Sequence, residues 1–419
     1  MKDNFPAWYQ KEREEAIRHL KEAKVAKYGV DIPLERYIGQ SPSLRKRKKI
    51  ENLKELKKSV QVRLESVGER VDERYRSASH LQEDDSTVYL KGVEGLLPEG
   101  VVIMDTDEAI KRFSWLRDYY FKIMPKRLNK YSTFVNAYSK GGIFVWVKEG
   151  VKVNLPLQAC FYLKSSNYVQ TPHSFIIAEP YSQIHLLSGC TTDKECRNSA
   201  HIAVTEIYVK EGAEVTWTMI HNWGEGYHIR PNVGIKVERK GRYISNYLLT
   251  SEVESIQAYP TAVLEEDARA VFNTMLFCKG RSKIDIGSAI YFKGKNSKGE
   301  IRTRALVLDS AQCFMRGNLQ GTSRCSGHLE CKGLILSKSA QASAYPHLSA
   351  SEEAELTHEA SIGKIRAEEL NYLMSRGFSK EEATSLLVRG FINLDIPALP
   401  SVVENYIKKV IEMSAKGSI

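Results

Sequence analysis

The amino-acid sequence predicts a mainly β protein, a parallel β-helix with α-helical regions at both ends. The first observation is that residues 141–359 show many short alternations of apolar and polar residues and almost no helical periodicity, a pattern typical of many short strands. The second is that helical periodicity is confined to the segments before residue 75 and after residue 364. The strands are predicted around the apolar runs 143–147, 175–177, 202–204, 207–209, 284–286, 306–308 and 334–336.

A turn motif recurs between these runs and indicates how the strands are connected. In each copy a small, polar or acidic residue is followed by alanine, a polar residue, and an apolar or small residue. The alanines of the five copies are Ala213, Ala268, Ala311, Ala340 and Ala354. Similar turns at short intervals favour the stacked turns of a parallel β-helix. A β-sandwich would need more hairpin signals such as Asn-Gly or Asp-Gly, and the sequence contains none.

The first 75 residues predict two amphipathic helices. Apolar residues from Trp8 to Tyr28 recur every three to five positions, and Gly29 and Pro33 end this first helix. A second helix is predicted to begin near Ser43 and to include the basic run 45–49. Its apolar stripe would consist of Leu53, Leu56, Val60 and Leu64.

The C-terminal region predicts a helical hairpin followed by a third helix. A helix over 365–376 is followed by Gly377, a residue that favours the left-handed conformation found after a helix C-terminus. Ser379 and Glu382 have the spacing of a capping box and predict the start of the next helix. A third helix is predicted over 402–413. The apolar face of the second helix would consist of Ala383, Leu386, Leu387 and Phe391. Such a hairpin either caps the open edge of a β-helix or presents an apolar face to a partner.

The positive charge of the chain is concentrated near its N-terminus. The 419 residues carry a net charge of +10, from 61 Lys+Arg against 51 Asp+Glu. Residues 1–60 hold 16 basic and 9 acidic residues, so +7 of that excess (16 − 9) belongs to this segment. The basic run 45–49 is interpreted either as a solvated helix face or as a patch for nucleic acid or an acidic partner. No base-reading motif accompanies the run, so nucleic-acid binding is not the function that the sequence favours.

Composition predicts a cytoplasmic protein. The sequence has no run of about 18 apolar residues, so no membrane span is predicted. Its N-terminus lacks the basic and apolar regions of a signal peptide. The seven cysteines are dispersed and odd in number, which favours a reducing compartment over a disulfide framework.

Common catalytic and nucleotide-binding motifs are missing. The sequence contains neither the phosphate-binding loop of ATPases nor the glycine motif of dinucleotide-binding proteins. It also lacks Gly-x-Ser-x-Gly, His-Glu-x-x-His and Cys-x-x-Cys. A β-helix enzyme of the lyase or acyltransferase class remains an alternative, although it would need clustered carboxylates or a catalytic histidine in a groove.

Cysteine and histidine side chains are the main candidates for chemistry. Thiols in or beside strands either ligate a soft metal ion or an iron–sulfur cluster, or pack as small hydrophobic groups. His358 and Glu359 end the β region, and adjacent strand residues point to opposite faces, so the two are not expected to ligate one ion together. At a subunit interface, however, the pair can contribute one ligand to a shared site. The six cysteines in or beside predicted strands are Cys160, Cys190, Cys278, Cys313, Cys325 and Cys331.

Several motifs carry a resemblance to a known family. The most specific is the C-terminal stretch 356–365, which contains Thr357-His358-Glu359-Ala360-Ser361-Ile362-Gly363. On these motifs the chain resembles the SufB/SufD family of the Suf iron–sulfur cluster assembly system. The resemblance extends over about residues 150–395, and its other motifs lie at 155–158, 188–191, 212–214, 369–383 and 387–392.

The resemblance implies a right-handed parallel β-helix and a non-enzymatic subunit of an assembly complex. It implies that the β-helix pairs through its C-terminal strands with another copy or with a SufB/SufD paralogue. It also implies that the terminal helical domain binds the ABC-type ATPase SufC, whose closure is thought to distort the paired interface and expose the assembly site. The domains expected on this basis are a basic N-terminal helical region (1–90), the β-helix core (91–363) and the ATPase-docking domain (364–419).

The resemblance also implies roles for individual residues. His358 matches an interface histidine and Glu359 the carboxylate that follows it in SufB-like members, so both are candidate metal ligands for a transient iron–sulfur cluster. Cys190, Cys313 and Cys331 match cysteines of SufB-like chains. The sequence departs from the SufB pattern in two places: Ser339 stands where a scaffold cysteine is expected, and no cysteine occurs in 241–250. A SufB-like and a SufD-like role therefore both stay open. The side chains expected to contact the ATPase are Tyr372, Leu373, Phe378, Leu386, Leu387 and Phe391.

Overall fold

The computed structural model describes residues 4–38 and 49–392. The structure is mainly β, with about eight turns of parallel strands stacked into a β-helix and with helices at both ends. The fold class predicted from strand alternation and from the turn motif is therefore confirmed. Within the described part of the chain, no helix has the length and apolar character needed to cross a bilayer.

The helices and strands have the following bounds. The α-helices of the described residues are α1 Ala7–Leu20, α2 Lys58–Glu65, α3 Thr106–Arg112, α4 Lys130–Tyr138, α5 Ala367–Ser375 and α6 Lys380–Ile392. The strands before residue 210 are β1 Ala78–Glu83, β2 Ser86–Gly92, β3 Val101–Asp105, β4 Ile143–Val147, β5 Leu157–Leu163, β6 Val169–Gln170, β7 His173–Ala178, β8 Gln183–Thr192 and β9 Ser199–Val209. The later strands are β10 Glu214–Asn222, β11 Tyr227–Val237, β12 Arg242–Leu249, β13 Ser255–Ala258, β14 Thr261–Leu264, β15 Arg269–Cys278, β16 Lys283–Phe292, β17 Ser297–Val307, β18 Gln312–Gly321, β19 Cys325–Ile335, β20 Gln341–Ala350 and β21 Ala354–Gly363.

The strands form two sheets that face each other across a lumen. Sheet A has the order β2-β1-β5-β8-β10-β12-β15-β17-β19-β21, and the main path of sheet B is β20-β18-β16-β13-β11-β9-β7-β4-β3. Register partners on neighbouring turns are about 29 residues apart; Leu329, for example, pairs with His358 (358 − 329). The antiparallel pairs β1–β2 and β3–β4 lie at the N-terminal end. β1 and most of β2 therefore fall within residues 1–90, which were expected to be helical.

The lumen is filled by one large hydrophobic cluster, and the turn motif forms its corners. Side chains at alternate strand positions point into this cluster. Ala213, Ala268 and Ala311 of the turn motif are fully buried in it. Residues with positive φ come just before two of these alanines, Gly212 with φ 63° and Asp267 with φ 58°. The chain reverses there, and the small alanine side chain enters the lumen at the start of the next strand.

Helices from both ends of the chain cover the outer face of sheet A. Leu64 of α2 and Val388 of α6 belong to one buried cluster with Leu187, Leu306 and Leu334. Leu334 lies five positions after Leu329 on the same strand, so it points away from the lumen. The hairpin therefore packs on the side of the β-helix and not across its end.

The N-terminal segment covers sheet B, but it is less helical than the periodicity predicted. α1 ends at Leu20 and not near Tyr28, and residues 21–38 form an irregular strap. Arg230 of β11 donates from Nη2 to the Val30 carbonyl at 2.5 Å, and the Gly29 amide donates to Asp285 Oδ2 at 3.2 Å. Contacts with the sheet thus replace local helical hydrogen bonds in the strap.

The predicted second helix is also shorter than expected. α2 begins at Lys58, and the preceding chain forms only a 3-10 turn over Leu53–Glu55. Asn52 caps this turn by accepting a hydrogen bond from the Lys54 amide at 2.9 Å, which offers the backbone an alternative to an α-helix. The predicted start near Ser43 and the residues 45–48 of the basic run lie outside the described residues.

The predicted C-terminal hairpin is confirmed. α5 is followed by Gly377 with φ 95°, and α6 begins with the predicted capping box. The Ser379 amide donates to Glu382 Oε2 at 2.8 Å, and the Glu382 amide donates to Ser379 Oγ at 3.2 Å. The third predicted helix, 402–413, lies outside the described residues.

The apolar face of α6 agrees with the prediction in part: Ala383 is buried as predicted, and Leu387 and Phe391 are half-buried. Val388 and Ile392 are buried against sheet A, whereas Leu386 is 45% exposed. The helical periodicity placed Leu386 on the apolar face because it could not locate the sheet on which α6 packs.

Candidate functional site

The C-terminal end of the β-helix is open. β20 and β21 are the last strands of their sheets, and none of the described residues pairs with their outer edges. All residues of β21 from Thr357 to Gly363 are exposed, whereas all residues of β9 are buried. The free N–H and C=O groups of such an edge are suited to pair with another chain.

His358 and Glu359 lie in the middle of β21 and point to opposite sides of it. His358 is in register with Leu329, whose side chain lies in the lumen, so His358 continues the lumen-facing row. It is exposed because no further turn of the described chain covers it. Glu359 points outward, and its Oε1 lies 3.1 Å from Lys332 Nζ. The strand geometry thus separates the two side chains, as expected from their adjacency.

Two candidate thiols lie one turn beneath the open end. Cys331 of β19 is in register with Ala360, and Cys313 of β18 is in register with Ala342. Both thiols are buried. Burial, with smaller effects from Cys313 and Glu330, raises the pKa of the Cys331 thiol to about 12. Because the thiolate is the form that binds metals, Cys331 is a poor ligand while the terminal turn is in place.

The terminal turn covers both thiols with alanine, the smallest side chain that a strand normally carries. Displacement of β20 and β21 would therefore expose Cys313 and Cys331 at the end of the β-helix. Ser339, at the position of the expected scaffold cysteine, is exposed in the turn just before β20.

Cys278 is a third thiol in this part of the lumen; the sequence identified it as one of six strand cysteines, but the family resemblance gave it no role. It ends β15, and burial together with the neighbouring Cys313 thiol raises its pKa. The two cysteines are distant in sequence and belong to different sheets. They meet because the two sheets pack against each other across the lumen.

Cys190 lies apart from this group. Its strand, β8, is five strands away from β19 in sheet A, a distance of about 24 Å at the usual strand spacing. Burial, and then the charge of Glu69, raises the pKa of its thiol. Among the described residues, no group of three or more His, Cys, Asp and Glu side chains is arranged to hold a metal ion.

The C-terminal hairpin offers a second exposed surface. Tyr372 is 59% exposed, Phe378 41% and Leu386 45%, whereas Leu373, Leu387 and Phe391 are half-buried. No residue of α5 is buried. The hairpin is thus anchored to sheet A by α6 and presents to solvent Tyr372 of α5 and Phe378 of the connection between the two helices.

Comparison with protein families finds one matching family model. The model is described as "SUF system FeS cluster assembly, SufBD core domain", and it matches residues 161–391. The matched range includes most of the β-helix, the terminal turn and nearly all of the hairpin.

Comparison with curated proteins finds similar chains in archaea and bacteria. A protein of Methanothermobacter thermautotrophicus named "Iron-sulfur cluster assembly SufBD family protein" is 39% identical over 401 residues, which is 94% of this chain and 96% of the relative. A SufBD family protein of Pyrococcus horikoshii is 32% identical over 417 residues, 98% of this chain and 94% of the relative. The Bacillus subtilis protein named "Iron-sulfur cluster assembly protein SufB" is 30% identical over 356 residues, 83% of this chain and 76% of the relative.

Proposed function

This chain belongs to the SufBD family and has a role in iron–sulfur cluster assembly, and from that premise we propose that it is a non-enzymatic subunit that pairs through its open end. The observation that carries the proposal is the uncovered terminal turn, which places His358 at an edge and two thiols directly beneath it. In this proposal the iron–sulfur cluster is the substrate of the subunit. The partners are a second copy of the chain and a SufC-type ABC ATPase, and the assembly works in the cytoplasm.

The charge pattern around β21 supports antiparallel pairing of two copies. Glu352 and Glu353 precede the strand, Lys364 and Arg366 follow it, and all four are exposed. Parallel pairing would place like charges side by side. In an antiparallel pair centred on His358, Glu352 of one copy lies opposite Lys364 of the other, each six residues from the centre. Such pairing brings the two His358 side chains to the two-fold axis.

Charge reversal tests this register. Glu352→Lys alone and Lys364→Glu alone should each weaken self-association roughly five- to tenfold, because each creates two like-charge pairs across the two-fold axis. The double variant should restore the association of the unchanged protein. Sedimentation velocity over a concentration series measures these constants. The proposed register would be excluded if the double variant associated as weakly as the single variants, or if none of the three variants changed the association constant.

The exposed side of α5 is the proposed docking surface for the ATPase. Aromatic side chains that are exposed together on an anchored hairpin are typical centres of protein–protein interfaces. Tyr372→Asp should lower the affinity for the SufC-type ATPase at least about tenfold. Tyr181→Asp is the matched control, since Tyr181 is also an exposed tyrosine (55%) but lies in a turn of the β-helix core. Pull-down with titration measures both, and equal retention of the ATPase by the two variants would refute this docking surface.

The proposed place of cluster assembly is the open end, at His358 with Cys331 and Cys313 beneath it. The ligands there fit the substrate only when the terminal turn moves, because the closed structure keeps both thiols buried, and burial raises the pKa of the Cys331 thiol. Anaerobic reconstitution followed by absorption spectroscopy tests the assignment. His358→Ala and Cys331→Ser should lose most of the cluster absorption, and Cys190→Ser, about 24 Å away, should keep it. If only the Cys190 variant lost the cluster absorption, the assembly site would lie at Cys190 and not at the open end.

A further inference from the structure

A chain of charged contacts connects the C-terminal hairpin to the edge strand of the open end. Arg304 of β17 donates from Nη1 to the Phe391 carbonyl at the end of α6, at 2.9 Å. The same guanidinium donates from Nε to Glu330 Oε1 at 3.1 Å. Glu330 Oε2 lies 2.8 Å from Lys332 Nζ, and this ammonium lies 3.1 Å from Glu359 Oε1 on β21.

These contacts run across three neighbouring strands on the outer face of sheet A. Glu330 is its central member and is only 8% exposed. Burial would raise the pKa of this carboxyl, but the hydrogen bonds from Lys332 and Arg304 outweigh burial and lower it. A buried carboxylate that has two cations as partners cannot lose one of them without a large cost, so the three side chains move together.

The position of Arg304 links this network to the hairpin. Its guanidinium donates both to the Phe391 carbonyl at the end of α6 and to the buried Glu330 carboxylate. If α6 shifts, Arg304 must therefore move with it or lose one of these hydrogen bonds. At the other end of the network Glu359 is next to His358, and its neighbour Ala360 covers Cys331. The network therefore has the C-terminal hairpin at one end and, at the other, the terminal turn that covers the two thiols.

We propose that Arg304, Glu330 and Lys332 are positioning residues that hold the terminal turn closed when α6 is docked and release it when α6 shifts. This inference rests on the proposed function, in which the ATPase binds the hairpin and the cluster is assembled at the open end. It adds the route by which one surface acts on the other. The network has two arrangements, intact and broken, and both the hairpin and the edge strand bias the choice between them.

The test uses the full chain without the ATPase or a cluster. Arg304→Gln removes the cation that bridges α6 and Glu330. Arg302→Gln is a demanding control, because Arg302 lies on the same strand face and directly opposite Glu330 in register, yet hydrogen-bonds Glu300 at 2.7 Å. Two readouts are measured: hydrogen exchange of the β21 amides, and the rate at which iodoacetamide alkylates Cys331.

Arg304→Gln should accelerate both readouts about tenfold, the scale of losing one charge-assisted hydrogen bond, and Arg302→Gln should leave them unchanged. Val388→Asp, which undocks α6, should accelerate both by a similar factor. In the double variant Arg304→Gln with Val388→Asp the effects should not multiply, because the same contact is broken in both. Multiplying effects, or equal acceleration by Arg302→Gln, would overturn the proposal.

Two further measurements separate this inference from the proposed function. If Val388→Asp unfolds the chain, as circular dichroism would show, the pair Arg304→Gln and Arg302→Gln decides alone, with Glu330→Gln as a second variant expected to match Arg304→Gln. Sedimentation of each variant shows whether self-association has changed. If a variant loses pairing or ATPase binding while Cys331 is alkylated at an unchanged rate, the coupling between the hairpin and the terminal turn is refuted. If Cys331 is alkylated faster in a chain that never pairs, the coupling stands and the proposed pairing is refuted.

Discussion

The covered turns and the terminal turn of this β-helix share one backbone geometry but differ in what surrounds them. β9 is buried along its whole length, since it has neighbours in the sheet, the lumen on one side and α4 on the other. β21 continues the same register, yet most of it is exposed. The lumen-facing row changes accordingly, from Leu329 and Cys331 on β19 to His358 and Ala360 on β21. The terminal turn thus has a sequence that tolerates water or a partner, and the covered turns do not.

The largest expected effect comes from truncating equivalent leucines on the two kinds of turn. Leu319 of β18 is fully buried, and its register partner Leu348 of β20 is half-buried. Leu319→Ala should lower the free energy of unfolding by about 2–5 kcal/mol, because it leaves a cavity in the lumen. Leu348→Ala should lower it by about 1 kcal/mol, since part of that side chain is already in water. Urea unfolding at low protein concentration checks both values, and equal losses would mean that the terminal turn is covered in solution.

The two ends of the molecule should also respond to pH in opposite directions. At the N-terminal end, burial and the nearby charge of Asp105 raise the pKa of Asp107 from 3.8 to about 7. The folded state therefore holds a proton that the unfolded chain has released, and the free energy of unfolding should fall as pH rises from about 4 to about 7. Asp107→Asn should flatten this slope, by an amount of the order of a few kcal/mol across the window. The variant keeps an oxygen that can accept the Gly141 amide hydrogen bond.

At the C-terminal end of the β-helix, the effect of pH on the free energy of unfolding has the opposite sign. The pKa of Glu330 is lowered in the folded state, so its contribution to stability is present above the ordinary carboxyl pKa and is lost as pH falls through the lowered value. Glu330→Gln should remove that acid-side loss and leave the slope between about pH 5.5 and pH 7 unchanged. Unfolding curves at a series of pH values compare the two variants, and an unchanged slope in the Asp107 variant would contradict the assignment to that residue.

A smaller effect is expected at the strap, which joins the two regions. The Arg316 guanidinium carbon lies 3.9 Å from the ring centre of Tyr28 and 4.7 Å from that of Tyr345, and the guanidinium also binds both carboxylate oxygens of Asp285. Tyr28→Ala should cost about 1 kcal/mol and increase hydrogen exchange in β20, because Tyr345 lies on that strand. Tyr28→Phe keeps the ring and is the control; a cost for Phe equal to that for Ala would rule out the ring contact as the cause.

The smallest effect on stability is expected at the candidate site itself. His358 is exposed, so His358→Ala should change the free energy of unfolding by less than about 0.5 kcal/mol. A larger loss, measured by the same urea titration on the monomer, would show that His358 stabilises the fold and would weaken its assignment as an interface residue.

Much of the fold followed from local pattern. Strand alternation gave β4 with its observed bounds, and the alanine motif identified the corners of the β-helix. The capping box of Ser379 and Glu382 is also as predicted, because it depends on a spacing of three residues. The strap was not predictable in this way. Residues 21–28 have helical periodicity, but the Lys24 carbonyl accepts from the distant Lys130 amide, and the adjoining Gly29 and Val30 are bound by Asp285 and Arg230, which are 256 and 200 residues away in the sequence.

The candidate site was only partly visible in the sequence. His358 and Glu359 were placed at a strand end and on opposite faces from their adjacency alone. The grouping of Cys313 and Cys331 beneath Ala342 and Ala360 required the pairing register. The separation of Cys190 from that group depends on the order of the strands in sheet A, and the proximity of Cys278 depends on the packing of the two sheets across the lumen.

The sequence by itself determined that this chain forms a β-helix, where its turns lie and which family it resembles, because alternation, small corner residues and motifs are properties of neighbouring positions. Only the tertiary structure decided which positions meet. Each turn takes about 29 residues but varies in length, and one level of sheet B is divided into the two short strands β13 and β14. The register of a late strand therefore depends on the lengths of all preceding turns. That is why the positive charge and the odd number of cysteines said little about the site. In the structure, a row of four charged side chains on three strands connects the C-terminal hairpin with the edge strand β21: Arg304, Glu330, Lys332 and Glu359.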